Sequence, residues 1–182
     1  MKSNRIFLIA GAVALLSVGG STLVGAQELD RPFRVTLGPV FPADNDVTSL
    51  TDDLHLNLGL SYDLWGTVMG TRYYRGGAFV DMTWGRGNGN EFNSFGVGGF
   101  GRIYLGDQSA SSWRPYVGAS LGLYFLDYQL GAIGENSSRI GFGLFGGVES
   151  LNGLFGQVGY RWIGASRGYN GSGLALNVGY RF

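Results

Sequence analysis

The sequence predicts an all-β protein, an eight-stranded antiparallel up-and-down transmembrane β-barrel. Two observations predict this fold class. First, the chain ends on apolar residues at every second position, separated by small or polar residues, a pattern typical of a strand with one apolar face; the apolar set is Leu174, Leu176, Val178, Tyr180 and Phe182. Second, no window after Ala26 offers the roughly 20 continuous apolar residues of a membrane-spanning helix, whereas short alternating segments recur between Gly, Asp, Asn and Ser.

The first four alternating segments are residues 33–41, 54–62, 73–84 and 94–105. The second shows the clearest alternation, with a Leu or Tyr at each even position from Leu54 to Tyr62. Because successive side chains of a strand point to opposite faces, we expect Leu56 and Leu58 to face lipid and Asn57 and Gly59 to face the interior. The other three segments alternate in the same way, with one apolar face each: Phe33, Val35 and Leu37; Ala78, Val80, Met82 and Trp84; Phe95, Val97, Ile103 and Leu105.

The last four alternating segments are residues 113–127, 139–149, 154–163 and 174–182. Their predicted lipid-facing residues are Val117, Ala119, Leu121, Leu123 and Phe125; Ile140, Phe142, Leu144 and Val148; Leu154, Val158, Tyr160 and Trp162; and the terminal set given above. Aromatic residues fall near predicted strand ends, where membrane barrels carry aromatic girdles.

An even number of strands places both termini on the periplasmic side. Outer loops are then predicted at residues 43–53, 85–93, 128–138 and 164–173, and inner turns at 63–72, 106–112 and 150–153. The turn at 63–72 is long and contains Trp65, Val68 and Met69. An extension of the second or third strand into this segment therefore remains open.

Charged residues share the polar face of these strands, and we predict that they form a charge network in the lumen. Arg at mid-membrane depth on the lipid face would cost about 2–4 kcal/mol, so these side chains must point inward. An eight-stranded barrel is only wide enough for side chains to fill, and we expect the charges to pair across it. The predicted network comprises Arg34, Asp81, Arg102, Arg139, Glu149, Arg161 and Arg181.

Residues 1–26 have the features of a cleaved secretory signal peptide, and residues 27–182 then form one barrel domain. Lys2 and Arg5 precede a short apolar run over residues 6–18, and Val24-Gly25-Ala26 offers a small-residue cleavage site. The chain has no Cys, which excludes disulfides and a lipid-modified cysteine. After removal of the signal peptide the acids slightly outnumber the Arg side chains, which argues against a nucleic-acid partner.

The terminal Gly179-Tyr180-Arg181-Phe182, together with segments such as Arg114-Pro115-Tyr116-Val117-Gly118, resembles the OmpA/OmpX-type family of small bacterial outer-membrane β-barrels. The resemblance implies a location in the bacterial outer membrane, with outer-membrane lipids and the barrel-assembly machinery as partners. It also implies that Tyr180 and Phe182 act as the assembly signal read by that machinery. A monomer without a cofactor is expected.

Three sequence patterns imitate known sites. Residues 118–122 match the nucleophile elbow, but Ser120 lies within a predicted strand instead of at a strand-turn-helix junction. Residues 96–101 match a dinucleotide fingerprint but precede no helix. The acidic segment 44–53 could hold a divalent cation, yet it has Ser49 and His55 where an EF-hand requires Gly and Glu. A solvated acidic loop is the favoured interpretation of that segment.

The function predicted from the sequence is a structural or surface-interaction role through the extracellular loops, without catalytic or metal-binding residues. Two alternatives stay open. One is a narrow channel for small or hydrophobic solutes. The other is a lipid-modifying outer-membrane enzyme, for which His55, the only His, would need a partner such as Ser49 or Ser61.

Overall fold

The structure, a computed structural model, describes residues 31–69, 72–105, 112–130, 133–165 and 169–182. Eight strands and one short helix account for most of them. The strands are β1 (Phe33–Pro42), β2 (His55–Met69), β3 (Arg72–Gly87), β4 (Asn90–Tyr104), β5 (Trp113–Leu130), β6 (Ile133–Ser150), β7 (Leu154–Ile163) and β8 (Gly173–Arg181). The helix, α1, covers Asn45–Leu50. The predicted signal peptide lies outside the described residues.

Each strand pairs antiparallel with its neighbour in sequence, and β1 pairs with β8 to close the barrel. At the closing seam, Phe33 N–H donates to the Phe182 carbonyl at 3.1 Å and Phe182 N–H donates to the Phe33 carbonyl at 2.9 Å. Closure leaves no unpaired sheet edge along the seam, which is the condition for a sheet to cross a membrane. The predicted fold class is confirmed. We call the end of the barrel where Phe33 pairs with Phe182 the terminal end, and the opposite end the loop end.

Several strands are longer than the alternation predicted. β2 continues to Met69 and β3 begins at Arg72, so the predicted turn at 63–72 is wrong for most of its length; residues 70–71 lie outside the described residues. β5 and β6 pair as far as Leu130 and Ile133, which removes most of the predicted loop at 128–138. The strands persist because backbone pairing with a neighbour continues after the apolar alternation fades.

The loop predicted at 85–93 is also shorter in the structure. β3 and β4 pair through Gly87 and Asn90, which leaves a two-residue hairpin turn. Its residues Asn88 and Gly89 have φ of 51° and 77°, the left-handed conformation that an Asn-Gly turn of type I′ requires.

Side chains alternate between lipid and lumen as the sequence predicted. Leu56 and Leu58 are 51% and 41% exposed, whereas Asn57 between them is 5% exposed. The exposed apolar residues continue around the barrel, and aromatic rings lie near its ends. At the terminal end, the rings of Phe33 and Phe182 stack with centroids 5.9 Å apart on the outer surface. No helix in the described part of the chain is long and apolar enough to cross a membrane.

A β-bulge in β2 explains why the alternation fails near residue 63. Asp63 pairs with Gly77 and Trp65 pairs with the adjacent Gly76, so Leu64 is an extra residue in β2. Asp63 is 1% exposed, whereas Leu64 and Trp65 are both exposed. The bulge thus turns two successive apolar residues outward while it keeps the Asp63 carboxylate in the lumen.

The depth of an outward position should determine the effect of a charge placed there. Leu58→Arg lies near the middle of the membrane-crossing part of β2. It should lower the free energy of unfolding by about 2–4 kcal/mol, because a guanidinium at this depth in the lipid loses its contact with water. Leu54→Arg, at an exposed position just before β2 at the loop end, should cost about 0–1 kcal/mol. Urea unfolding in phosphatidylcholine vesicles measures both, and equal losses would contradict the orientation of β2.

Candidate functional site

The inward side chains form three layers along the barrel axis. The terminal layer contains the charged residues Arg34, Asp63, Arg75, Arg102, Glu149 and Arg181. The middle layer contains Asp81, Arg161, Thr83 and Asn57. The mouth cluster, at the loop end, contains Val47, Phe92, Leu126, Tyr128 and Ile163, which pack as one buried apolar group.

Glu149 organises one half of the terminal layer. Its Oε2 lies 2.8 Å from Arg34 Nη2, and its Oε1 lies 2.8 Å from Arg181 Nε. The Tyr104 hydroxyl also donates to Oε2 at 2.9 Å. Both carboxylate oxygens therefore have charged partners from strands on either side of the closing seam.

Asp63 organises the other half. Arg75 Nη1 lies 2.7 Å from Asp63 Oδ2, and Arg102 Nη2 contacts Asp63 Oδ1. Asp63 and Arg75 were not predicted as members of this network. Asp63 was placed in a turn, whereas Arg75 lies in the predicted third segment, at an inward position like that of Asp81. One signal for Asp63 was present: it continues the inward series that starts at His55 and repeats every second residue.

Aromatic faces supply negative potential where carboxylates are few. The terminal layer has four Arg side chains and two carboxylates. Arg34 Cζ lies 3.8 Å from the centroid of the Phe155 ring, and Arg102 Cζ lies 4.7 Å from that of Phe100. Such cation–π contacts strengthen when the cation is desolvated, so these rings help to hold the surplus Arg residues.

The middle layer is built on one ion pair. Arg161 Nη1 donates to Asp81 Oδ2 at 2.6 Å, and Arg161 Nη2 donates to Thr83 Oγ1 at 2.6 Å. Asn57 Nδ2 donates to the same Thr83 hydroxyl at 3.1 Å. This network links β2, β3 and β7 across the lumen.

Arg139 does not take the place predicted for it in the lumen charge network. Its Nε donates to the Ala165 carbonyl at 2.8 Å and its Nη1 donates to the Ser138 carbonyl at 2.8 Å, in exposed surroundings at the loop end. The physical reason is the length of β6, which extends well past the membrane-crossing part and carries Arg139 to the rim.

A cavity of about 140 Å³ lies between the terminal and middle layers. Phe79, Phe100, Tyr124, Phe145 and Phe155 are among its aromatic walls, and Ser61, Ser120, Gln157 and Asn177 contribute polar groups. A space of this size holds several water molecules. Charged side chains of both the terminal and the middle layer, among them Arg34, Arg102 and Arg161, contribute to its lining.

The mouth cluster is completed by α1, which the sequence analysis treated as loop. Asp44 caps this helix, since its Oδ1 accepts from Asp46 N–H at 2.9 Å and from Val47 N–H at 3.3 Å. Val47 is fully buried against the mouth cluster. The helix thus lies over the loop end of the lumen, with Val47 packed into the mouth cluster.

Hydrogen bonds join the α1 segment to the segment before β8. The second Asp44 oxygen, Oδ2, accepts from Asn170 N–H at 2.8 Å, and Ala43 N–H donates to the Ser172 carbonyl at 2.9 Å. Ser172 Oγ in turn accepts from Ile163 N–H at 2.9 Å. Asp44 therefore both caps the helix and ties it to the segment that leads into β8, the neighbour of β1.

His55 is buried beneath α1 and does not form a catalytic arrangement with Ser49 or Ser61. It is 2% exposed, its Nε2 lies 3.1 Å from Thr51 Oγ1, and its ring stacks on Phe92 with centroids 5.6 Å apart. Ser49 instead donates to the Asp46 carbonyl, and Ser61 lines the cavity. Within the described ranges, no group of His, Asp and Glu side chains could hold a metal ion.

Comparison with solved structures identifies the architecture. The chain is similar to the outer membrane enzyme PagL, with a TM-score of 0.63, 14% sequence identity, and 82% of this chain and 99% of that chain covered. The fold is that of the eight-stranded outer-membrane barrels. Neisserial surface protein A has a similar fold, with a TM-score of 0.51 and 17% identity over 82% of this chain and 96% of that chain.

These two neighbours differ in their described roles, since one is a surface protein and the other an enzyme. At such identities the likeness concerns the fold alone. No protein-family model matches the sequence. No curated protein matches it either.

Removal of the Glu149 charge should destabilise the barrel far more than removal of an exposed carboxylate. Glu149→Gln leaves Arg34 and Arg181 buried without their anionic partner, a change that costs about 3–5 kcal/mol in other buried pairs. Glu91→Gln is the matched control, because Glu91 pairs with the exposed Arg86 at 3.3 Å and exposed pairs contribute about 0–1 kcal/mol. Urea midpoints in vesicles compare the two, and similar losses would refute the structural importance of the terminal layer.

Proposed function

We propose that the protein is a non-enzymatic barrel of the bacterial outer membrane that acts through its loop-end surface as a structural or surface-interaction protein. The observation that carries this proposal is the closed loop end of the lumen, where Val47 of α1 fills the mouth cluster. A barrel that is closed and filled leaves its exposed loops as the surface available to partners. The exposed apolar exterior and the fold support the membrane location.

Two of the described segments at the loop end are held in place by their own contacts. α1 is tied to the β8 side by Asp44, and β3–β4 ends in a tight turn. Asp46, Asp52 and Asp53 are exposed on the α1 segment, which makes this part of the surface acidic. Recognition residues are commonly carried by loops that a rigid scaffold positions.

At the opposite end, Tyr180 and Phe182 are proposed to form the segment that the assembly machinery reads. Both are exposed on the outer face, at 47% and 52%, where a partner can reach them before the seam closes. A monomer and a periplasmic terminal end are part of the same proposal.

The enzyme alternative has the PagL likeness in its favour, since that enzyme has the same fold. The position of His55 argues against it. A group that acts on lipid must reach the outer surface, whereas His55 is enclosed by Thr51, Phe92 and α1. The channel alternative has the cavity of about 140 Å³ in its favour, but the packed mouth cluster at the loop end argues against a continuous path through the lumen.

An epitope inserted at the Asn88–Gly89 turn should be detected by antibody on intact cells. The same epitope inserted at the terminal-end turn, beside Asn152, should be detected only after the outer membrane is permeabilised. The two turns lie at opposite ends of the barrel, so the pair reports orientation directly. Detection of the Asn152 insertion alone on intact cells would reverse the proposed topology.

The closed lumen should give no stable conductance in planar bilayers, and lipid A should have the same mass in cells with and without the protein. Single-channel steps abolished by Ser120→Trp, which fills the cavity, but retained in Ser112→Trp at the terminal-end turn, would establish the channel alternative. A lipid A mass change that disappears in His55→Ala would overturn the non-enzymatic proposal.

A further inference from the structure

The cavity between the terminal and middle layers carries a surplus of positive charge. Its lining includes Arg34, Arg102 and Arg161 but only one carboxylate, Asp81. The three Arg side chains are 2%, 3% and 8% exposed, so bulk water screens them poorly. The whole lumen has the same surplus of positive charge. Besides the four residues just named, it contains two more Arg side chains, Arg75 and Arg181, and two more carboxylates, Asp63 and Glu149.

Each of the three Arg residues that line the cavity also keeps a buried donor without a partner. Arg34 uses Nη2 for Glu149 and Tyr116, Arg102 uses Nη2 for Asp63, and Arg161 uses both Nη atoms for Asp81 and Thr83. Their Nε atoms are buried and have no hydrogen-bond partner among the described residues. A buried charged donor without an acceptor is costly, and these three donors outnumber the two unpaired acceptors of the cavity lining, Asp81 Oδ1 and Asn177 Oδ1.

We propose that this cavity binds a small inorganic oxyanion of phosphate size, together with ordered water. The anion supplies both missing features, negative charge and acceptor oxygens for guanidinium groups. The two buried cavity-lining acceptors without a partner, Asp81 Oδ1 and Asn177 Oδ1, require donors and are the positions for water. The cavity of about 140 Å³ has room for both. The cavity lies inside the lumen, where its lining includes residues of both the terminal and the middle layer, and the test below distinguishes free phosphate from a lipid headgroup because the headgroups are the same in every sample.

Gln157→Glu tests the proposal with one added charge. Gln157 lines the cavity, and its Oε1 accepts from the Tyr116 hydroxyl at 3.1 Å, a bond that a Glu carboxylate of the same shape preserves. The added carboxylate should replace the anion. Gln129→Glu is the matched control, because it makes the same chemical change on an exposed side chain at the loop end.

The experiment is equilibrium urea unfolding of the folded chain in phosphatidylcholine vesicles, with phosphate titrated at constant ionic strength against a bulky sulfonate. Vesicle headgroups are the same in every sample. The unfolding midpoint should rise with phosphate in the wild-type protein and in the control variant Gln129→Glu. At a phosphate concentration 100-fold above the dissociation constant, the folding equilibrium constant should increase about 100-fold. Gln157→Glu should be more stable than the wild type without phosphate and lose most of this dependence.

Three results would overturn the proposal. The first is no phosphate dependence in the wild type, and the second is an equal rise in Gln157→Glu, which would indicate a general salt effect. The third is a midpoint that rises when chloride is titrated in the same way but not when phosphate is. If Gln157→Glu does not fold, Asn177→Asp makes the same test from the neighbouring strand β8, since Asn177 pairs with Gln157 and lines the cavity as well.

Discussion

The structure depends on one constraint: charged side chains are confined inside a narrow closed sheet and must find partners there. Closure of β1 on β8 satisfies the backbone, but it also brings Arg34 and Arg181 beside each other at the seam. Two like charges there would oppose closure. Glu149, which contacts one guanidinium with each oxygen, removes that conflict and makes barrel closure and charge pairing one event.

The same constraint explains how the two halves of the lumen differ. Toward the terminal end, charged groups pair with one another and with aromatic faces; toward the loop end, apolar side chains exclude water beneath α1. The bulge at Leu64 belongs to this arrangement, because it keeps Asp63 inward within reach of Arg75 and Arg102. The proposed function is assigned to the loop-end surface for the same reason: the interior side chains pair and pack with one another, whereas the loop-end residues face the surroundings.

Much of this was predictable from period-two alternation alone. The number of strands, the inward direction of Arg34 and Glu149 and the bounds of β7 all follow from local pattern. What alternation could not predict depends on three-dimensional partners. Asp63 was missed because the alternation fails at the bulge that follows it, and Arg75 because the apolar alternation recognised in β3 begins only at Ala78. The helix α1 was missed because its six residues carry no helical periodicity; the helix is held by the Asp44 cap and by the packing of Val47 in the mouth cluster.

The charge pairs themselves were predictable in kind but not in identity. Alternation places Arg102 and Glu149 in the lumen without saying which strands face one another across it. Arg139 shows the limit most clearly. It occupies an inward position in the alternation, yet β6 places it at the rim, because alternation predicts the direction of a side chain and not its depth along the barrel.

The central claim is that the lumen is closed at both ends, and cysteine accessibility tests it most directly. The chain has no Cys, so Ser120→Cys in the cavity and Ser49→Cys on exposed α1 each provide a single thiol. In folded protein in vesicles, a charged water-soluble maleimide should modify Ser49→Cys rapidly and leave Ser120→Cys unmodified until urea unfolds the barrel. Equal rates for the two variants in the folded state would show an open lumen and contradict the account.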